Sequence, residues 1–246
     1  MLRWLFKKEK KADLSALGFS ILETDIHSHF IPGIDDGAPD METAILLIKE
    51  MQQLGYKKLI TSPHVMSDFY KNSSEIILKG LSDVRAELKA QNINIEIDAA
   101  AEYYIDYDFE NKIGNERFLT FGDDYLLVEL SFVDPPKNYL EIIFKLQIEG
   151  YKVVLAHPER YHYFQMEDYK ELANRNVLLQ INLLSLIGYY SPQIKNKTED
   201  LIFENMVSFA GSDCHNMKHL ELYKSCQTTQ AWHDLCNSGN LLNNTL

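Results

Sequence analysis

Cysteine is scarce in this 246-residue chain, with only Cys214, Cys226 and Cys236 present. They form neither a C-x-x-C pair nor an even framework, which excludes a disulfide-stapled scaffold and fits a reducing compartment. Positive charge is the minority sign: 24 Lys and Arg face 36 Asp and Glu, a net charge of −12. A phosphate-backbone binder needs the opposite balance, so nucleic acid is not an expected partner. No apolar run approaches the roughly 20 residues of a membrane span. The opening MLRWLFKKEKK holds too short an apolar stretch for a signal-peptide core, so a cytoplasmic protein without an integral membrane segment is expected. Its basic run, Lys7, Lys8, Lys10 and Lys11 interrupted by Glu9, reads as a solvated tail, contact with an anionic membrane surface being the alternative. No repeat, low-complexity tract or Pro/Ser-rich linker divides the remainder. Residues 1–19 are therefore read as a basic tail and residues 20–246 as one domain.

Short β-rich runs alternate with helical patterns from residue 20 onward, the signature of successive βα units around a parallel sheet. Strands are expected at Ser20 to Ile26, Lys58 to Ser62, Ile93 to Ala99, Tyr125 to Leu130, Lys152 to Ala156, Leu178 to Asn182 and Val207 to Gly211. Helices are expected at PDMETAILLIKEMQQLGY, with Pro39 near its start and Gly55 near its end, and at Ser74 to Ala90, Lys137 to Glu149, Glu167 to Asn174 and Lys195 to Glu204. A further helix is expected between Leu220 and Cys236. Seven strands of this kind suit an α/β fold built as one closed or nearly closed barrel.

The polar residues favour the barrel, because they recur where strands end. His27 and His29 follow the first strand, and alternate residues of an extended segment share a face. His64 in ITSPH follows the second, Glu102 in AAAEYY the third, and Glu129 closes YLLVEL on the fourth. The fifth runs into LAHPER, giving His157 and Arg160, and the seventh into FAGSDCH, giving Asp213 and His215. Each has a plainer role taken alone: a loop histidine, an ion pair, a helix cap. A barrel brings all these ends to one rim, where active sites are built. Glu129 ends an apolar run and would be costly to bury without a compensating charge. Imidazoles interleaved with carboxylates, with no thiolate among them, suit Mn, Fe or Zn better than Mg or Ca. The inventory exceeds the needs of one ion, so two or three are expected, with a bridging carboxylate. Cys214, between Asp213 and His215, should point away from them and pack.

The ordered set DIHSHFIPGIDDGA, TSPH, AAAEYY, LLVEL, AHPERY and GSDCHN resembles the PHP (polymerase and histidinol phosphatase) superfamily. Within it the set is most similar to the manganese-dependent bacterial protein-tyrosine phosphatases of capsule and exopolysaccharide assembly, the CpsB/YwqE type. The resemblance runs from about Thr24 to Asn216. It implies a distorted TIM-like (β/α)7 barrel with three metal ions, Mn2+ by preference. It further implies one ion on His27, His29, Glu102 and Asp213, a second on Glu102, Glu129 and His157, and a third on Asp36, His64 and His215. Arg160 would clamp the phosphate, its substrate being a phosphotyrosine protein such as a bacterial tyrosine kinase. One departure stands out: the family usually places a second arginine shortly after S-D-x-H-N, whereas this chain reads HNMKHLELY and has no arginine beyond Arg175. Lys218 or His219 would have to serve, without a guanidinium fork.

The expected chemistry is in-line attack on phosphorus by metal-activated hydroxide, with tyrosinate leaving. The cysteine-dependent phosphatase route needs arginine six residues after its nucleophile, and positions 220, 232 and 242 are Leu, Trp and Leu. Phe69 and Tyr70, in the loop after His64, are candidates to flank a substrate ring. Competing readings are a small-molecule phosphatase of the histidinol-phosphate type, an amidohydrolase, and a catalytically weak phosphotyrosine-binding module.

Overall fold

The computed structural model describes residues 14–246. Lys7 to Lys11 lie outside them; of the expected tail, Phe19 is buried, and Leu17 donates its N–H to the Gln227 carbonyl. In chain order the elements are β1 (Thr24–Asp25), α1 (Met41–Gln53), β2 (Lys58–Thr61), β3 (His64–Val65), α2 (Ser74–Ala90), β4 (Glu96–Ala99), β5 (Glu102–Tyr104), α3 (Tyr107–Lys112) and β6 (Tyr125–Glu129). They continue with α4 (Tyr139–Ile148), β7 (Lys152–Ala156), α5 (Met166–Asn174), β8 (Leu178–Asn182), α6 (Pro192–Phe203), β9 (Val207–Gly211), α7 (Met217–Cys226) and α8 (Gln230–Asn237).

Among the described residues every pairing between these strands is parallel. One ladder runs β1-β2-β4, a second β3-β5-β6-β7-β8-β9. The two are halves of one wall, because β3 continues β2 after a break at Ser62–Pro63 and β5 continues β4 after Ala100–Ala101. Proline has no N–H to give a ladder, and here its carbonyl accepts the Glu102 N–H instead. Nine segments thus occupy seven positions, the number expected. The ring's two ends meet where Ser28 bridges Cys214, Asp213 N–H donates to the His27 carbonyl, and His29 N–H donates to the Cys214 carbonyl. Lower down, side chains span the gap. Asp25 accepts from Ser212 N and Oγ, and the Asn243 amide bonds Ala210 N–H and the carbonyls of Ala210 and Thr24.

Ile26, Ile60, Leu127, Val154, Ala156 and Phe209 fill the interior, while a larger apolar layer packs between strands and helices. The interior is therefore apolar below, and polar side chains gather at the strands' C-terminal ends. Three local expectations change. Strand β1 is only two residues long, preceded by a 3-10 turn at Phe19–Ile21 and a left-handed Glu23. Helix α3 has six residues and buries only Phe109, too little apolar periodicity to read. The expected C-terminal helix is two, because Thr229 caps α8 by accepting from Trp232 N–H.

Candidate metal centre

The nine residues expected as ligands converge on the barrel mouth. His27 Nε2 and His29 Nε2 stand 3.3 Å apart, and Asp213 Oδ1 lies 3.5 and 3.3 Å from them. Glu102 Oε2 lies 3.2 Å from His27 and 2.9 Å from His64 Nδ1, while its Oε1 lies 2.9 Å from His157 Nε2. Glu129 approaches His157 at 3.6 Å, and Asp36 approaches His64 and His215 at 3.6 and 3.4 Å. Four overlapping groups of potential ligand atoms result: His29, Asp36, His64 and His215; His27, His29 and Asp213; His27, Glu102 and His157; His64, Glu102 and Glu129. Glu102 belongs to two of them, the position a bridging carboxylate requires.

Their hydrogen bonds show what the mouth is built to hold. His27 Nδ1 faces Gln180 Oε1 at 2.8 Å, and His29 Nδ1 faces Asp35 Oδ2 at 2.8 Å. Both acceptors lack a proton to give, so each Nδ1 carries the hydrogen, which leaves each Nε2 as the atom that takes an ion or, without one, a proton. Two such nitrogens 3.3 Å apart, set against carboxylates, call for positive charge between them, which a metal ion supplies or, without one, a proton. Glu102 Oε2 is fully buried and has no hydrogen-bond partner despite the imidazoles around it. These residues fit divalent ions.

Charge gives the same answer. Burial pushes Glu102 up, but His27 and His64 hold it well below the usual carboxylate range; burial likewise opposes, and His215 and His27 outweigh it, at Asp213. Glu129 goes the other way, raised to about 8 by burial and by Glu102. Burial resists protonation of His27, His64 and His215, yet neighbouring carboxylates raise them to about 9, 10 and 9. His157 is lowered to about 4 by burial and Arg160. Without ions, protons on imidazole supply the positive charge that the carboxylates demand.

Local backbone serves this geometry. His157 and Asp213 have φ of 33° and 52°, left-handed values that side chains adopt at a cost of about 1–3 kcal/mol each. Gly211 is needed because a Cβ there would meet Gln180 Nε2 at 2.7 Å and the His27 Cβ at 2.8 Å. Gly37 is needed likewise, a Cβ falling 2.2 Å from the His29 carbonyl oxygen.

Above the cluster of expected ligands opens a cleft of about 380 Å³. Arg160 stands in its wall on a 3-10 turn at Pro158–Arg160, its guanidinium between the rings of Phe132 and Tyr190 at 4.4 and 4.5 Å, with Nη1 3.2 Å from Asp213 Oδ2. An ion pair between Arg160 and its neighbour Glu159 does not form. Glu159 is buried and accepts from Asn182 N–H and Ser185 Oγ. His219 lines the cleft, whereas Lys218 lies 5.6 Å over the Tyr189 ring. Phe69 is 76% exposed and Tyr70 stacks on His64; the aromatic lining is instead Phe132, Tyr189 and Tyr190. Asp35, Gln180 and Asn182, whose Nδ2 donates to Asp213 Oδ2 at 2.7 Å, were not anticipated as supports.

A family model described as "Capsular polysaccharide synthesis, CpsB/CapC" matches residues 23–229. Tyrosine-protein phosphatase YwqE of Bacillus subtilis (strain 168) is 28% identical over 197 residues, covering 79% of this chain and 78% of that protein. Tyrosine-protein phosphatase CpsB of Streptococcus agalactiae serotype V is 27% identical over 201 residues, covering 78% and 83%. The solved structure of the metal-dependent tyrosine phosphatases YwqE from Bacillus subtilis and CpsB from Streptococcus pneumoniae matches with a TM-score of 0.78 at 26% identity, over 90% of this chain and 94% of that one. An amidohydrolase from Mycoplasma synoviae shares the fold alone, with a TM-score of 0.52 at 12% identity, over 90% and 83%.

Proposed function

The chain belongs to the CpsB/CapC family of capsular polysaccharide synthesis proteins, and from that premise we propose that it is a metal-dependent protein-tyrosine phosphatase. The proposed resident ions are two or three Mn2+, with Fe or Zn as the alternatives the donor set allows. The proposed substrate is a phosphotyrosine protein of the cytoplasm, a bacterial tyrosine kinase first among them. The observation that carries this reading is the pair of Nε2 atoms on His27 and His29, their Nδ1 atoms already committed to Gln180 and Asp35, set against Asp213 and Glu102. The solved relatives are described as metal-dependent tyrosine phosphatases.

Bound divalent ions would acidify a water and neutralise phosphoryl charge. His27, His29, His64, His157, His215, Asp36, Glu102, Glu129 and Asp213 are proposed to hold them. Gln180 and Asp35 keep two imidazoles in the binding tautomer. Arg160 presents planar N–H donors that match a phosphate edge, and Phe132 and Tyr190 hold its plane. Phenolate leaves with a pKa of about 10, so the reaction needs no strong general acid. The thiols stay out of it: burial raises Cys214 far above the ordinary thiol range and pushes Cys226 and Cys236 up to about 12.

Turnover of a phosphotyrosine peptide, histidinol phosphate and a simple amide by Mn2+-loaded protein tests the reading. Hydrolysis of the peptide, lost in EDTA and insensitive to vanadate, is expected. Full activity in EDTA, or preference for either other substrate, would overturn it.

A further inference from the structure

Building on the phosphatase reading, we infer that Tyr189 is the specificity-determining residue that receives the substrate's phenyl ring. The phosphoryl end of a substrate is fixed by the cleft floor, where the ligand cluster and Arg160 lie. Its organic end must leave past the aromatic wall. Two of the three rings in that wall are committed: Phe132 and Tyr190 both pack on the Arg160 guanidinium, at 4.4 and 4.5 Å, and Phe132 also stacks on His157 with centroids 5.6 Å apart. Tyr190 is further tied by its hydroxyl, which accepts from Asn182 Nδ2 at 3.0 Å. Tyr189 makes its ring contacts with Tyr190, His219 and Lys218, none of them the guanidinium or an expected ligand. It lies edge to face with Tyr190 at 5.1 Å and with His219 at 5.5 Å, is 37% exposed, and lines the cleft.

Its position is held from outside. The Lys218 ammonium sits 5.6 Å over the Tyr189 ring, and Gly188 ends the preceding 3-10 turn at Leu183–Ile187 in a left-handed conformation. The ring is thus presented in the cleft lining at little entropic cost. An alkyl phosphate has no face to stack there. An aryl phosphate does, and an offset or edge contact of this kind is worth about two- to tenfold in affinity. This surface also differs from the Phe69–Tyr70 loop, whose Tyr70 stacks on the ligand His64 and whose Phe69 projects to solvent.

The test is the ratio of the dissociation constants of methylphosphonate and phenylphosphonate, measured by calorimetry on Mn2+-loaded full-length protein. Wild type should favour the phenyl compound. Tyr189→Ala should shrink that preference about two- to tenfold, and Tyr189→Phe, which keeps the ring, should retain it. Equal weakening of both compounds, no change with Tyr189→Ala, or a loss of preference in Tyr70→Ala instead would overturn the inference. Turnover of phosphotyrosine is measured alongside. Its absence defeats the hydrolase reading, whereas the binding ratio still decides the role of Tyr189.

Discussion

Replacing Asp35 with asparagine should weaken metal binding although Asp35 is not itself among the expected ligands. Its carboxylate accepts three hydrogen bonds, from His29 Nδ1 at 2.8 Å, Gly37 N–H at 3.0 Å and His64 N–H at 3.1 Å. Burial would raise Asp35, but His29 beside it holds the carboxyl at about 2, so it is ionised under any assay near neutrality. In Asp35→Asn one oxygen becomes an NH2 that only donates. Turned one way it faces Gly37 N–H; turned the other it faces His29 Nδ1–H and His64 N–H. The first orientation costs less, yet it still leaves His29 on a neutral amide and removes a charge-assisted bond. Losing such a support typically lowers metal affinity by about 10- to 100-fold, or about 1.4–2.7 kcal/mol. Because His29 belongs to two of the ligand groups, at least one Mn2+ site should show the loss in a calorimetric titration. Circular dichroism on metal-free protein checks that the fold persists. An Asp35→Asn protein that binds every Mn2+ as tightly as wild type would refute the reasoning.

Arg160→Lys keeps the charge but loses the fork and the stack between Phe132 and Tyr190, so kcat/KM for a phosphotyrosine peptide should fall about 10- to 100-fold in steady-state assays while Mn2+ stoichiometry is unchanged. His27, His64 and His215, raised to about 9, 10 and 9, hold protons near neutrality when no ion is bound. Ligation displaces those protons, so Mn2+ binding should release acid and tighten with rising pH across about pH 6 to 8, as seen by calorimetry in buffers of different ionisation enthalpy. In metal-free protein the same raised imidazoles contribute stability in full below their ordinary 6.5, and it is lost as pH climbs through 9 to 10. The metal-free Tm should therefore drop over that interval. Asn243→Ala removes the amide that pins β9 to β1 through Ala210 and Thr24 and leaves buried backbone groups unpaired; urea unfolding should show a loss of about 1–3 kcal/mol.

The histidines and acids of this mouth are legible because a parallel barrel sends every strand's C-terminal end to one rim, so scattered motifs such as TSPH, AHPER and GSDCH become neighbours. The supports are not legible for a physical reason. Gln180 and Asn182 are amides within an apolar strand, and nothing in LLQIN says that they point inward at His27 and Asp213. Asp35 and Asp36 are adjacent, and only the turn closed at Gly37 sends one to the His29 ring and the other to His64 and His215. The strand pattern likewise gives seven runs but not the interruption at Pro63, where the chain bends to bring His64 opposite Glu102. Glu159 adjoins Arg160 in the sequence and could have paired with it; its burial against Asn182 and Ser185 leaves Arg160 to the cleft.

The central claim is that one mouth holds several divalent ions. Anomalous diffraction from crystals grown with Mn2+ measures it directly. Two or three peaks should appear among His27, His29, Asp36, His64, Glu102, Glu129, His157, Asp213 and His215, with one lying between the His27 and His29 Nε2 atoms. A mouth without anomalous density, or Mn2+ bound only elsewhere on the surface, would contradict it.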